Sequence, residues 1–183
     1  MFASGSYGQS GASVAQANLD YLVQHAQRIV RGNVVSAILE PDPQFSNLQT
    51  VLVTIQVAKT LKGPTSPTLT FRQFVWNSRD VFGAGGYHKA EEIVLFLNPV
   101  SQYGLTSPVG MEQGQFRILR DNKGNGYAVN GRGNIGLFAG VLAESESRGV
   151  TFSAQAKTML SKSSGRVSLS TLEEAILGLV ARP

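Results

Sequence analysis

From Val51 to Ala58 the chain alternates, with Val51, Val53, Ile55 and Val57 on one side and Leu52, Thr54, Gln56 and Ala58 on the other. A period of two with one strongly apolar side predicts a long β-strand with one buried face over 49–61, closed by the Lys62-Gly63-Pro64 turn. The same reasoning places strands at Ile29–Leu39, Thr68–Val75, Glu92–Leu97, Gly114–Arg120 and Gly126–Val129. Glu40-Pro41-Asp42-Pro43 ends the first of these, because proline has no N–H for a ladder. The apolar run 92–97, stopped by Asn98-Pro99, reads as a central strand. Residues 114–120 and 126–129 flank Asp121–Asn125 and read as a hairpin.

Helical spacing appears at the two ends. Leu19, Leu22, Val23, Ala26 and Ile29 follow Ser13-Val14-Ala15-Gln16, whose Ser/Gln spacing is that of a capping box, so a helix is expected over 13–28. Near the C-terminus a weak helix is expected over 153–163. A stronger one opens at a second box, Ser170-Thr171-Leu172-Glu173. Residues 1–12 read as a flexible leader, 13–138 as a barrel domain with its N-terminal helix, and 139–183 as a polar linker followed by helices. This is a mainly β (α+β) chain. Its long apolar strands argue for a small closed or partly closed barrel, since closure removes exposed edges, with an open sheet as the alternative.

At 183 residues the chain can bury about 70% of its unfolded surface and needs no staple. It has no cysteine, which excludes a disulfide framework, thiolate zinc sites and thiol catalysis. The 16 Lys+Arg against 12 Asp+Glu are dispersed, which argues against a dedicated nucleic-acid binder. No apolar run reaches the roughly 20 residues that span a bilayer. The leader lacks the basic start and apolar centre of a signal peptide, and fits either a mature secreted protein or a cytoplasmic N-terminus.

His25–Ser36 resembles the helix-to-strand junction of the netrin-like domain, the OB-type barrel of tissue inhibitors of metalloproteinases. Thr54–Pro64 is similar to that family's second strand and its Lys-Gly turn, Leu69–Phe71 to the next strand, and Gly86–Leu97 to the one after. The order of elements is also similar to that of bacterial exported proteins. The resemblance covers about residues 20–130 and implies an OB-type barrel, export to the periplasm or exterior, and protein or peptide binding, with a protease-inhibitor-like module as one form of it. The animal inhibitors ligate a catalytic zinc through an N-terminal cysteine. This chain has none, so that mechanism does not carry over.

Literal motif matches fare poorly. Gly131-Arg-Gly-Asn-Ile-Gly136 has the dinucleotide spacing but lacks the βαβ context and the distant acid, so a turn is expected. Asp121–Gly126 echoes a calcium loop, but Lys123 and Arg132 stand where ligands belong. Gly8–Ala12 approximates a nucleophile elbow without the strand-to-helix turn that strains the serine. His25 reads as a boundary residue. His88 with Glu91 and Glu92 is the one acid/base or metal candidate, and it offers too few ligands. No cofactor or metal is expected, and the chain reads as non-enzymatic.

The loop after the third strand is the remaining candidate. It carries Arg72, Phe74, Trp76, Arg79, Phe82, Tyr87, His88 and Lys89. Aromatics interleaved with cations suit a protein-binding hot spot or single-stranded nucleic acid stacked on an OB face. Alternatively Phe71, Phe74 and Trp76 fill the core beneath a long loop.

Overall fold

The structure, a computed structural model, describes residues 15–75 and 84–181. The leader, its serine motif, and three of the loop residues (Trp76, Arg79 and Phe82) lie outside the described residues. One antiparallel sheet runs in the order β3-β2-β1-β4-β5-β6-β7. Its strands are β1 (Arg28–Pro41), β2 (Gln49–Lys62), β3 (Thr68–Phe74), β4 (Glu92–Leu97), β5 (Gln115–Arg120), β6 (Gly126–Asn130) and β7 (Val167–Ser168). Four α-helices accompany it among the described residues: α1 (Leu19–His25), α2 (Val141–Ser147), α3 (Ala154–Leu160) and α4 (Leu169–Val180).

The six strands expected from alternation are all present within one or two residues of their ends. Their closure into a barrel is not: no ladder joins β3 to β5, β6 or β7 among the described residues. Segment 105–108 lies across the gap instead. Leu105 bridges Arg72 on β3 in parallel, and Pro108 bridges Leu97 at the end of β4. Thr106 N–H donates to the Arg72 carbonyl at 2.9 Å, and Asn98 N–H donates to the Ser107 carbonyl at 3.0 Å. Single bridges cover the edge of β3 without extending the sheet.

The sheet coils because β1 and β2 slip register after Ile29, Arg31 and Val34, each slip bending the pair. Gly32 permits the closest approach: a β-carbon there would lie 2.2 Å from the Gln56 carbonyl oxygen. Coiling separates two cores. Val30, Val34, Val51, Val53, Ile55, Leu69, Phe71, Ile93 and Leu95 enclose one on the concave side of β3-β2-β1-β4. Val94, Phe96, Phe116, Ile118 and Ala128 face the other way, onto all four helices. β4 is therefore buried on both faces, as its unbroken apolar run requires.

Three helix boundaries correct the sequence reading. α1 starts at Leu19, not at 13, because Asn18 Oδ1 caps the Tyr21 N–H at 2.9 Å, while Ala15 and Ala17 are tied to Gln113 and Gln16 reaches the Ile135 carbonyl. α4 starts after Ser168 rather than Ser170, and Glu173 caps nothing: its carboxylate meets Lys59 at 2.7 Å and Arg31 at 2.8 Å. The polar linker expected at the start of 139–183 is helical over Val141–Ser147, as α2. Ala156, Leu172, Ala175 and Ile176 share a core with β4–β6, so the C-terminal helices pack on the sheet.

Candidate binding surface

The loop candidates separate once they are placed. Arg72 lies on the convex face of β3, where Nη2 meets Glu40 Oε1 at 2.6 Å and Nη1 donates to Thr50 Oγ1 at 2.8 Å. Its guanidinium therefore ties β3 to β1 across β2. Tyr87 is buried, sits edge-on to Phe71 with ring centroids 5.8 Å apart, and donates its hydroxyl to Gln73 Oε1 at 2.8 Å. Burial drives its hydroxyl pKa far above the ordinary value. Phe74 is half-buried at the end of β3. Of the candidates described, only His88 and Lys89 face solvent. Arg72 and Tyr87, expected as contact residues, are both engaged within the fold.

Nor do His88, Glu91 and Glu92 assemble into an acid/base group. Glu91 is paired with Arg117 at 3.0 Å. Glu92 is shared between Arg31 at 2.9 Å and Arg120 at 2.8 Å. Among the described residues no cluster of three metal-ligating side chains occurs. Gly131–Gly136 forms the expected turn, held from inside by Asn130 and Asn134. Asp121–Asn125 forms the expected hairpin turn. There Asp121 accepts from the Asn125 side chain and from the Lys123 and Asn125 N–H groups, and these bonds hold its carboxyl below the ordinary value.

An aromatic pair that the strand and motif patterns did not point to lies at the end of the sheet where β1 turns into β2. Phe45 in the β1–β2 turn and Tyr103 in the β4–β5 connection meet edge to face, ring centroids 5.7 Å apart at 80°. They are 42% and 52% exposed, and neighbouring Val100 is 60% exposed. Both rings stand on tight turns. Asp42, itself buried, accepts from the Gln44 and Phe45 N–H groups at 2.8 and 3.1 Å, the side-chain turn that Asp-Pro sequences favour. Ser101 takes the Gly104 N–H on its carbonyl and the Leu105 N–H on its hydroxyl, and Gly104 supplies the positive φ of 74° that the turn needs. A single aromatic inside a polar Pro/Gly turn is the signal that could have found each one.

Elsewhere the surface is quieter. Arg31, Lys59, Arg117, Arg120, Arg148 and Lys157 are each engaged by a carboxylate. An open groove of about 340 Å³ lies between α3 and the start of α4, lined by Met159, Lys162 and Thr171 among others. Among the described residues no helix is long and apolar enough to cross a membrane. No protein-family model, no curated protein and no solved structure matches this chain.

Proposed function

We propose that this chain is a non-enzymatic binding domain that docks a protein or peptide partner at the Phe45/Tyr103 end of its sheet. The observation that carries this is the exposed edge-to-face pair on two hydrogen-bonded turns. Large aromatic side chains fixed before contact lose little entropy on binding, which is the property of an interface anchor. The loop leaving β3 begins at the same end, since Phe74 pairs with Thr50 beside the β1–β2 turn. The end of β3 and the aromatic pair thus lie at one end of the sheet.

The netrin-like, OB-type reading belongs with this proposal. It is supported by the register slips that bend β1 against β2 and by segment 105–108 reaching from β4 to β3. Export from the cytoplasm follows from that resemblance alone. A protease-inhibitor-like role is a special case of partner binding. The single-stranded nucleic-acid reading is weaker, because cations neutralised by carboxylates release few counterions from a phosphate backbone.

Panning a displayed peptide library over immobilised wild type and a Phe45→Ser/Tyr103→Ser variant tests the reading. Enrichment of a sequence family by the wild type alone is expected. The same family enriched equally by both would overturn it.

A further inference from the structure

We infer that the outer half of β1, residues 35–41, is a strand-addition site for an extended peptide that runs antiparallel to β1 and carries a carboxylate at its C-terminal end. The inference rests on the binding reading above and deepens it by specifying the conformation and polarity of the partner segment.

β1 is 14 residues long, but β4 accompanies it only as far as the Asn33–Glu92 pair. Val34 then accepts from Ala90 N–H at 2.8 Å and donates to the Glu91 carbonyl at 2.9 Å. Beyond Val34, β1 has β2 on one side and no strand on the other among the described residues. Asp42 N–H donates to the Leu48 carbonyl. By the alternation of an antiparallel ladder, Ser36, Ile38 and Glu40 turn their backbone groups toward β2. Ala37 and Leu39 therefore turn theirs toward the open side.

Among the described residues this edge is only partly defended, by the bulge after Val34 and by Pro41 at its far end. Sheet edges are normally blunted by lysine, by inward charges or by a covering segment. Here Val35 and Ile38 are 45% and 51% exposed, and Ala37 and Leu39 rest on the concave core. Glu40 and Pro41, which has no N–H, interrupt the apolar character at the far end, and half-buried Ser36 at the near one. An added strand would find apolar neighbours on each face for its alternate side chains.

Charge sets the direction. The 88–91 turn, closed by Glu91 N–H to the His88 carbonyl at 3.1 Å, puts exposed His88 and Lys89 at the residue-35 end of the edge. Neither meets a carboxylate among the described residues, and the nearby acids Glu91 and Glu92 are held by arginines. An antiparallel strand brings its C-terminus to this positive end, whereas a parallel one would bring its ammonium. A second copy of this chain fits less well, because its edge offers only Glu40, already held by Arg72.

The test is an NMR titration with an octapeptide alternating valine and threonine, ending in glutamate with a free C-terminus, against the same peptide ending in lysine amide. Saturable shifts at Ala37 and Leu39, with affinity about tenfold higher for the acidic peptide, are expected. Ala37→Pro removes only the outward N–H, which an edge position tolerates, and should abolish these shifts while thermal melting confirms folding. Lys89→Glu should reverse the preference between the two peptides. Unchanged binding by folded Ala37→Pro, no binding at millimolar peptide, or edge-dependent dimerisation in sedimentation would each overturn the inference. Running Phe45→Ser/Tyr103→Ser in parallel separates the two proposals: edge shifts that persist there sustain strand addition even if library panning refutes the aromatic site.

Discussion

Asn130 and Asn134 exchange hydrogen bonds, each backbone N–H donating to the other's Oδ1, at 2.9 and 2.8 Å. Both are buried, and their amides reach further: Asn134 Nδ2 donates to the Ala128 and Gly165 carbonyls, and Asn130 Nδ2 to the Gln113 carbonyl. Gln113 in turn holds Ala15 and Ala17. Four distant segments thus meet at one amide cluster, with Asn134 in the left-handed region at φ 60°, a conformation asparagine tolerates.

Replacing Asn134 by alanine removes three side-chain links, to the Asn130 N–H and to the Ala128 and Gly165 carbonyls, the first two of them buried. A loss of about 2–3 kcal/mol is expected in urea unfolding. Asn134→Gly, which suits the backbone angle but not the polar cluster, should be nearly as damaging. Recovery of stability by glycine would show that the angle, not the amide, is what matters.

Glu173 joins α4 to the sheet. Lys59 Nζ donates to its Oε2 at 2.7 Å. Arg31 Nε approaches its Oε1 at 2.8 Å but is not aimed for a hydrogen bond, so that link is purely ionic. Arg31 continues to Glu92, and Glu92 to Arg120. Glu173→Gln keeps the volume and removes the charge that two cations share. It should cost about 1–3 kcal/mol and speed amide hydrogen exchange in α4 ahead of β1 and β4. Uniform exchange changes across all elements would contradict a local docking role.

Tyr87→Phe keeps the ring against Phe71 and removes only the hydroxyl bonded to Gln73. A loss of about 1 kcal/mol is expected near neutrality. The pH dependence is more specific. Burial raises the folded-state pKa of this hydroxyl, so its contribution is fully present below the unfolded value of about 10 and is lost as pH rises above it. The gap in melting temperature between wild type and Tyr87→Phe should therefore narrow or reverse between about pH 9 and 11. A gap independent of pH would mean that the hydroxyl reaches solvent.

Arg28 presents an opposite case. Its Nε and Nη2, the two arms of its side-on fork, are buried without an acceptor among the described residues. Desolvated donors of this kind oppose folding. Arg28→Met retains the apolar stem and should raise stability by about 1–2 kcal/mol. A lower melting temperature for the variant would show that the guanidinium finds a partner in solution.

Strand positions, the buried side of β2, the Asp121 and Gly131 turns and the mainly β class were all legible in the sequence, because side-chain alternation and turn chemistry act over a few residues. Val51, Val53 and Ile55 declare their shared face without help from the rest of the chain. Capping boxes were a poorer guide, since Gln16 and Glu173 found stronger partners far away in sequence. The open course of the sheet, the docking of the C-terminal helices, and the placement of Arg72, Tyr87, Phe45 and Tyr103 were decided only by the tertiary structure. An aromatic or an arginine reads the same whether it ends up inside or outside. Which it becomes depends on how far two bulged strands coil and on what then lies opposite, a long-range property that no local pattern of residues encodes.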